Sequence, residues 1–122
     1  MVKPVTISAP AGTNVIAAGA FLETDGAGAV KAFDGTGTIL GRAESGFDPA
    51  DPLAAGDEFV GCIKQGLIRV AAAAATYSFG DEVEWDTGHT VKAGNTLLVG
   101  TAAETKTTTS GDPILKVYMN IA

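Results

Sequence analysis

Apolar and polar residues alternate with a period of two through much of the chain, the signature of strands with one buried face. The clearest run lies near the end, where Leu115, Val117, Met119 and Ile121 alternate with Lys116, Tyr118 and Asn120. Ile68, Val70 and Ala72 alternate in the same way around an outward Arg69, and Val83 and Trp85 oppose Glu82, Glu84 and Asp86. Shorter runs over residues 15–18, 20–23, 29–33, 38–43 and 97–102 predict further strands. Residues 58–63 and 67–72 predict a hairpin joined through Lys64-Gln65-Gly66. After the turn Asp86-Thr87-Gly88-His89, residues 90–92 should return beside Val83 and Trp85. The alanines at 71–75 are too few to hold a helix without tertiary support and read as a strand end and loop.

Two elements recur in a fixed order. An apolar-Gly-x-Ala strand occurs as Ile39-Leu40-Gly41-Arg42-Ala43 and as Leu98-Val99-Gly100-Thr101-Ala102. A Gly-Asp turn precedes an apolar run at Gly56-Asp57, Gly80-Asp81 and Gly111-Asp112, where glycine accepts positive φ and aspartate bonds its own backbone. The order hints at two similar halves. Residues 44–55, with Asp48, Pro49, Asp51 and Pro52, and the threonine-rich residues 104–111 read as polar surface loops. Many short strands at turn spacing predict an all-β fold, a small single-domain barrel or sandwich with an extended N-terminal arm. The arm covers residues 1–14 and the single β domain residues 15–122.

Within the arm, Val5 and Ile7 share a face, and Pro4 and Pro10 lack the backbone donor of an inner strand. It is either an edge strand of its own domain or an arm that pairs with a neighbour.

The balance of charge removes several function classes. Across 122 residues, 14 acidic against 8 basic side chains give a net charge of −6, and the basic residues are scattered singly. Nucleic-acid binding draws on clustered Lys and Arg, so it is not expected. The uncharged stretch over residues 4–22 carries too many prolines, glycines and hydroxyl or amide side chains for a membrane span, and lacks the basic start of a signal peptide. A single cysteine, Cys62, forms no internal disulfide. A chain made and kept soluble in the cytoplasm is expected.

Candidate chemistry is sparse. Glu82, Glu84 and Asp86 share one predicted strand face, but alternate strand residues stand about 6.6 Å apart, too far to close around one cation unaided. They read as a solvated acidic face. His89, the only histidine, falls in a predicted turn with no nucleophile or orienting partner beside it in sequence. Cys62 lies in an apolar strand as a small hydrophobe. Trp85, the only tryptophan, sits on the core face with Val83, or alternatively offers a sugar-stacking platform. No catalytic, cofactor-binding or metal-ligating residue is assigned, and no enzyme is expected.

The run Gly80-Asp81-Glu82-Val83-Glu84-Trp85-Asp86, then Asn95-Thr96-Leu97-Leu98-Val99-Gly100-Thr101-Ala102, then Gly111-Asp112 and a terminal alternating strand resembles the capsid cement (head decoration) proteins of tailed bacteriophages. The resemblance covers the last forty or so residues; the glycine-rich first half is similar in character only. It implies a non-enzymatic protein of the virion, on the outer capsid surface. Such a protein binds the major capsid protein of an assembled head and bridges its subunits, commonly as a homo-trimer, with no nucleic acid or membrane partner. On this reading Val2, Lys3, Pro4, Val5, Thr6, Ile7, Ser8, Ala9 and Pro10 are the capsid-contacting segment. The alternative is a virion-surface carbohydrate-binding or adhesin-like module using exposed aromatics such as Trp85 or Tyr77.

Overall fold

The computed structural model describes residues 5–11, 14–44, 46–48 and 59–121, with main chain only for residues 5–10, 59 and 60. These residues form eleven strands and no helix: β1 (Val5–Pro10), β2 (Phe21–Thr24), β3 (Val30–Ala32), β4 (Gly41–Ala43), β5 (Phe59–Ala71), β6 (Thr76–Tyr77), β7 (Glu82–Trp85), β8 (Val91–Ala93), β9 (Leu98–Ala102), β10 (Lys106–Thr107) and β11 (Ile114–Asn120). The all-β expectation holds, and its form is one curled antiparallel sheet making a half-barrel. The strand order is β3-β2-β4-β5-β11-β9-β7-β8, with β1 also on β5 and a separate β6-β10 ribbon.

That order reads the same from either end, because the chain folds the same unit twice. In the first repeat Leu22 on β2 pairs with Gly41 on β4 and with Ala32 on β3; in the second, Val83 on β7 pairs with Gly100 on β9 and with Ala93 on β8. Glu23 faces Lys31 as Glu84 faces Lys92. The turn leading into each unit repeats as well. Gly19 (φ 84) donates its N–H to Ala43, and Gly80 (φ 91) donates to Ala102. Even the isolated Ile16–Phe47 bridge has its counterpart in the Tyr77–Lys106 pair of the β6-β10 ribbon. The hint of two halves in the apolar-Gly-x-Ala strands is therefore a full structural duplication.

The two units share β5. Its first half, residues 59–65, closes the first repeat by pairing with β1 and β4; its second half opens the next by pairing with β11. The match is residue for residue, since Ile7 faces Cys62 where Ile68 faces Val117, and Pro10 faces Phe59 where Ala71 faces Ile114. The predicted hairpin over 58–63 and 67–72 is thus one continuous strand of 13 residues. Gly66, expected in a turn, instead adopts φ 137 inside the strand, at the point where β1 gives way to β11 along the same edge. Glycine accepts there a backbone conformation that side-chain-bearing residues avoid, and the strand continues through it without reversing.

Two smaller expectations also change. Residues 15–18 contribute only the Ile16 bridge, and the loop over 104–111 contains β10. Of the loop over 44–55, only 44 and 46–48 lie within the described residues.

Each repeat has its own apolar interior. Ile16, Leu22, Val30, Ala43, Phe47 and Cys62 pack together in the first. The corresponding Tyr77, Val83, Val91, Ala102 and Val117 lie in a larger cluster with Ile68, Val70, Leu115, Met119 and Ile121. Adjacent strand residues point to opposite faces, so Phe21, next to Leu22, leaves the first interior and joins the second with Phe33 and Ile39. The outer face of repeat one is thereby packed against repeat two. The alternation predicted for the last strand is observed, with Leu115, Val117, Met119 and Ile121 all buried.

Candidate functional site

Of the predicted contact segment, Val2, Lys3 and Pro4 lie outside the described residues, while Val5, Thr6, Ile7, Ser8, Ala9 and Pro10 are β1. Of the two readings left open for this arm, the strand on the edge of its own sheet is the one observed: β1 pairs antiparallel with β5.

Which edge of β1 is left over follows from hydrogen-bond parity. The carbonyl of Gly61 accepts the Glu44 N–H on the β4 side, and the carbonyl of Lys64 accepts the Ile121 N–H on the other side. Backbone groups alternate sides along a strand, so Val60 and Cys62 turn toward β1. Their partners Ala9 and Ile7 therefore bond β5, and Thr6, Ser8 and Pro10 direct their main-chain groups outward. Pro10 has no N–H, which suits a position where β5 asks for none. Among the described residues no strand pairs with this outer edge. It presents the N–H and C=O of Thr6 and Ser8, and the C=O of Pro10.

The acidic face expected from Glu82, Glu84 and Asp86 does not form as one. Glu82 is exposed, but Glu84 is buried and accepts hydrogen bonds from the N–H groups of Thr96 at 2.7 Å and Leu97 at 3.0 Å. Those donors, the Leu97 N–H foremost, and Lys92 hold its carboxyl below the usual carboxylate range against a smaller opposing effect of burial. The loop over 94–97 curls back over β7 and supplies donors that strand alternation does not reveal. Among the described residues no group of three or more His, Cys, Asp or Glu side chains could hold a metal ion.

Trp85 is partly buried against the larger cluster. Its ring meets Phe33 edge to face at 4.9 Å, and its Nε1 donates to the Gly88 carbonyl at 2.9 Å. Tyr77 is fully buried and its hydroxyl donates to the Ala73 carbonyl at 2.7 Å, so it is no exposed aromatic platform. Cys62 is buried, and burial pushes its thiol pKa up. His89 stands exposed in the turn after Gly88.

Two features were not marked in the sequence. Half-buried Arg42 donates from Nε to the Gly19 carbonyl at 3.1 Å and from Nη2 to the Arg69 carbonyl at 3.2 Å, tying repeat one to the second half of β5. Burial lowers its pKa. The second feature is a set of exposed large apolar residues, among them Leu67, Phe79, Leu98 and Tyr118. Leu67 and Tyr118 are cross-strand partners on β5 and β11, with Leu98 on β9 alongside. The sequence signals were Tyr118, set with Lys116 and Asn120 on the polar face of the last strand, and Phe79, a large aromatic beside a Gly-Asp turn.

In the comparison with known proteins, no family model matches the chain, and no curated protein matches it in sequence.

Proposed function

We propose that the chain is a non-enzymatic capsid decoration protein, which binds the outer surface of an assembled phage head and stabilises it by bridging subunits of the major capsid protein. The observation that carries this reading is the outer edge of β1, with which no strand pairs among the described residues. A strand edge bearing the main-chain groups of Thr6 and Ser8 accepts an extended segment of a partner chain, which gains backbone hydrogen bonds without needing a deep pocket. Pro10 ends the run of donors and confines such pairing to a few residues. A homo-trimer multiplies that modest contact by avidity. The net charge of −6 favours solubility of unbound copies.

Of the two aromatics named for the carbohydrate-binding alternative, Tyr77 is buried and Trp85 is partly buried with its ring against Phe33, which disfavours both as sugar platforms.

Co-sedimentation with expanded and unexpanded shells of the cognate capsid protein tests the proposal. Saturable binding to expanded shells is expected from the intact chain. Ser8→Pro removes one outward donor and leaves the Ile7 and Ala9 bonds to β5, so it should weaken binding while the fold persists. Absence of binding by the intact chain to either shell would overturn the reading.

A further inference from the structure

The duplication supplies an internal reference for what should cover each surface of the molecule. In repeat one the outer face, Phe21, Ile39 and Ile63, is packed into the larger cluster with Trp85, Leu97 and Ile121 of repeat two. The equivalent outer face of repeat two is Glu82, Leu98 and Tyr118, and there Leu98 and Tyr118 are each 41% exposed. Repeat one has Thr24, Thr38 and Gly66 at the positions equivalent to Trp85, Leu97 and Ile121. The covering side chains have been shortened, and the face they would cover is open.

The opening has a definite shape. Residues 37–39 of the first repeat and their equivalents 96–98 line one depression of about 320 Å³, together with Asn120 and Ile121. Leu97 lines it from one repeat, while Thr38, its equivalent, is too short to cover Leu98. Two smaller hollows flank Tyr118, one beside Leu98 and Gly100 and one beside Gly66. The surface therefore lacks one large apolar side chain.

The chain carries such a side chain elsewhere. Phe79 is 67% exposed at the turn entering β7, and the turn is rigidly held. The Ser78 N–H donates to Asp81 Oδ2, the Phe79 N–H to Thr105 Oγ1 and the Gly80 N–H to the Ala102 carbonyl. This turn sits at the Ala102 end of β9 and the depression at the Leu98 end, four strand residues or about 14 Å away. Phe79 is thus far from its own groove.

We infer that the groove between Thr38 and Leu98 receives Phe79 of a second copy of this chain. Knob and groove are different patches of one molecule, so the contact is head-to-tail and builds a closed ring when the rotation between copies closes. The aromatic ring enters a depression lined by no charged side chain, with Asn120 at its edge, and covers Leu98, the equivalent of the buried Ile39 of repeat one. Because the contact joins the chain to itself, it stands or falls separately from shell binding.

Sedimentation velocity and native mass spectrometry of the full chain, from micromolar to millimolar concentration, test it. The unmodified chain is expected to associate. Phe79→Ala removes an exposed side chain and should weaken association by about 30-fold or more, as for a buried aromatic anchor. Thr38→Leu installs the residue found at the equivalent position of repeat two; it should fill the groove, weaken association as strongly, and leave thermal stability unchanged or raised. Mixing the two variants gives the sharpest reading. The Phe79→Ala copy keeps a groove and the Thr38→Leu copy keeps a knob, so together they should form one-to-one dimers that neither forms alone. A monomeric unmodified chain across the range, association insensitive to Phe79→Ala, or a mixture that stays monomeric would each overturn the inference.

Discussion

Glu23 and Glu84 occupy the same position in the two repeats, each buried, and each set opposite a lysine across its hairpin. Their carboxylates also do the same work: Glu23 accepts the Asp34 N–H at 2.9 Å and Glu84 the N–H groups of Thr96 and Leu97, so each pins the loop that follows its own hairpin. A buried carboxylate satisfied by backbone donors is costly to replace, because its loss leaves those donors unpaired.

Glu84 gives the fold a pH dependence of known sign. Its carboxyl pKa is lowered by the Leu97 and Thr96 N–H groups and Lys92, so folding favours the ionised form. That contribution is fully present above the ordinary glutamate value of about 4.5 and is lost as pH falls through the lower folded value. Glu84→Gln should lower the melting temperature at neutral pH and flatten its decline below pH 4.5. Melting curves of both proteins across acid pH check this; parallel declines would remove Glu84 as the cause.

The glycine of each apolar-Gly-x-Ala strand has a steric reason. A Cβ at Gly100 would collide with the carbonyl oxygen of Tyr118 and lie 2.8 Å from its carbonyl carbon. At Gly41 it would strike Cys62 Sγ and lie 2.6 Å from the Ile63 carbonyl oxygen. Backbone on the neighbouring strand cannot swing away as a side chain can, so Gly100→Ala and Gly41→Ala should each destabilise by about 3 kcal/mol. Urea denaturation measures it, and a loss within experimental error of zero would contradict the packing.

Residues on the two faces of β11 should differ sharply in what they contribute. Leu115 is fully buried, and Leu115→Ala should cost about 3 kcal/mol in lost transfer energy and cavity. Tyr118 on the opposite face should cost about 1 kcal/mol or less when truncated in the monomer. The same urea titrations report both.

Amide exchange checks the edge of β1 directly. Ile7 and Ala9 bond β5 and should exchange slowly in the free protein, whereas Thr6 and Ser8 face outward and should exchange fast. The reverse alternation would place the open edge on the wrong side of the strand.

Cys62 should be inert while the protein is folded. With the thiol buried and its pKa raised, a thiol-specific reagent should react only as fast as the protein unfolds. Rapid labelling under native conditions would mean that the first repeat opens on its own.

Strand identity was legible in the sequence wherever one face is wet and the other dry, as in Leu115 to Ile121, because period-two alternation records that asymmetry. It failed along β5, where Lys64-Gln65-Gly66 carries the composition of a turn but lies where β5 exchanges one edge partner for another. Composition cannot register which strand lies alongside. Glu84 was misplaced for a related reason: alternation assigned it a face, but the loop that closes over that face comes from residues 94–97. The arm was legible as a proline-bounded strand, while the edge that it turns away from β5 required the parity of bonds made by Gly61 and Lys64.

β5 belongs to both repeats, and this governs how the protein comes apart. To free either repeat, a strand must be drawn out of the sheet that the other repeat also needs, so neither can melt while its twin stays intact. A domain built from two copies of one unit should therefore lose its structure in a single cooperative step, with calorimetric and van't Hoff enthalpies in agreement.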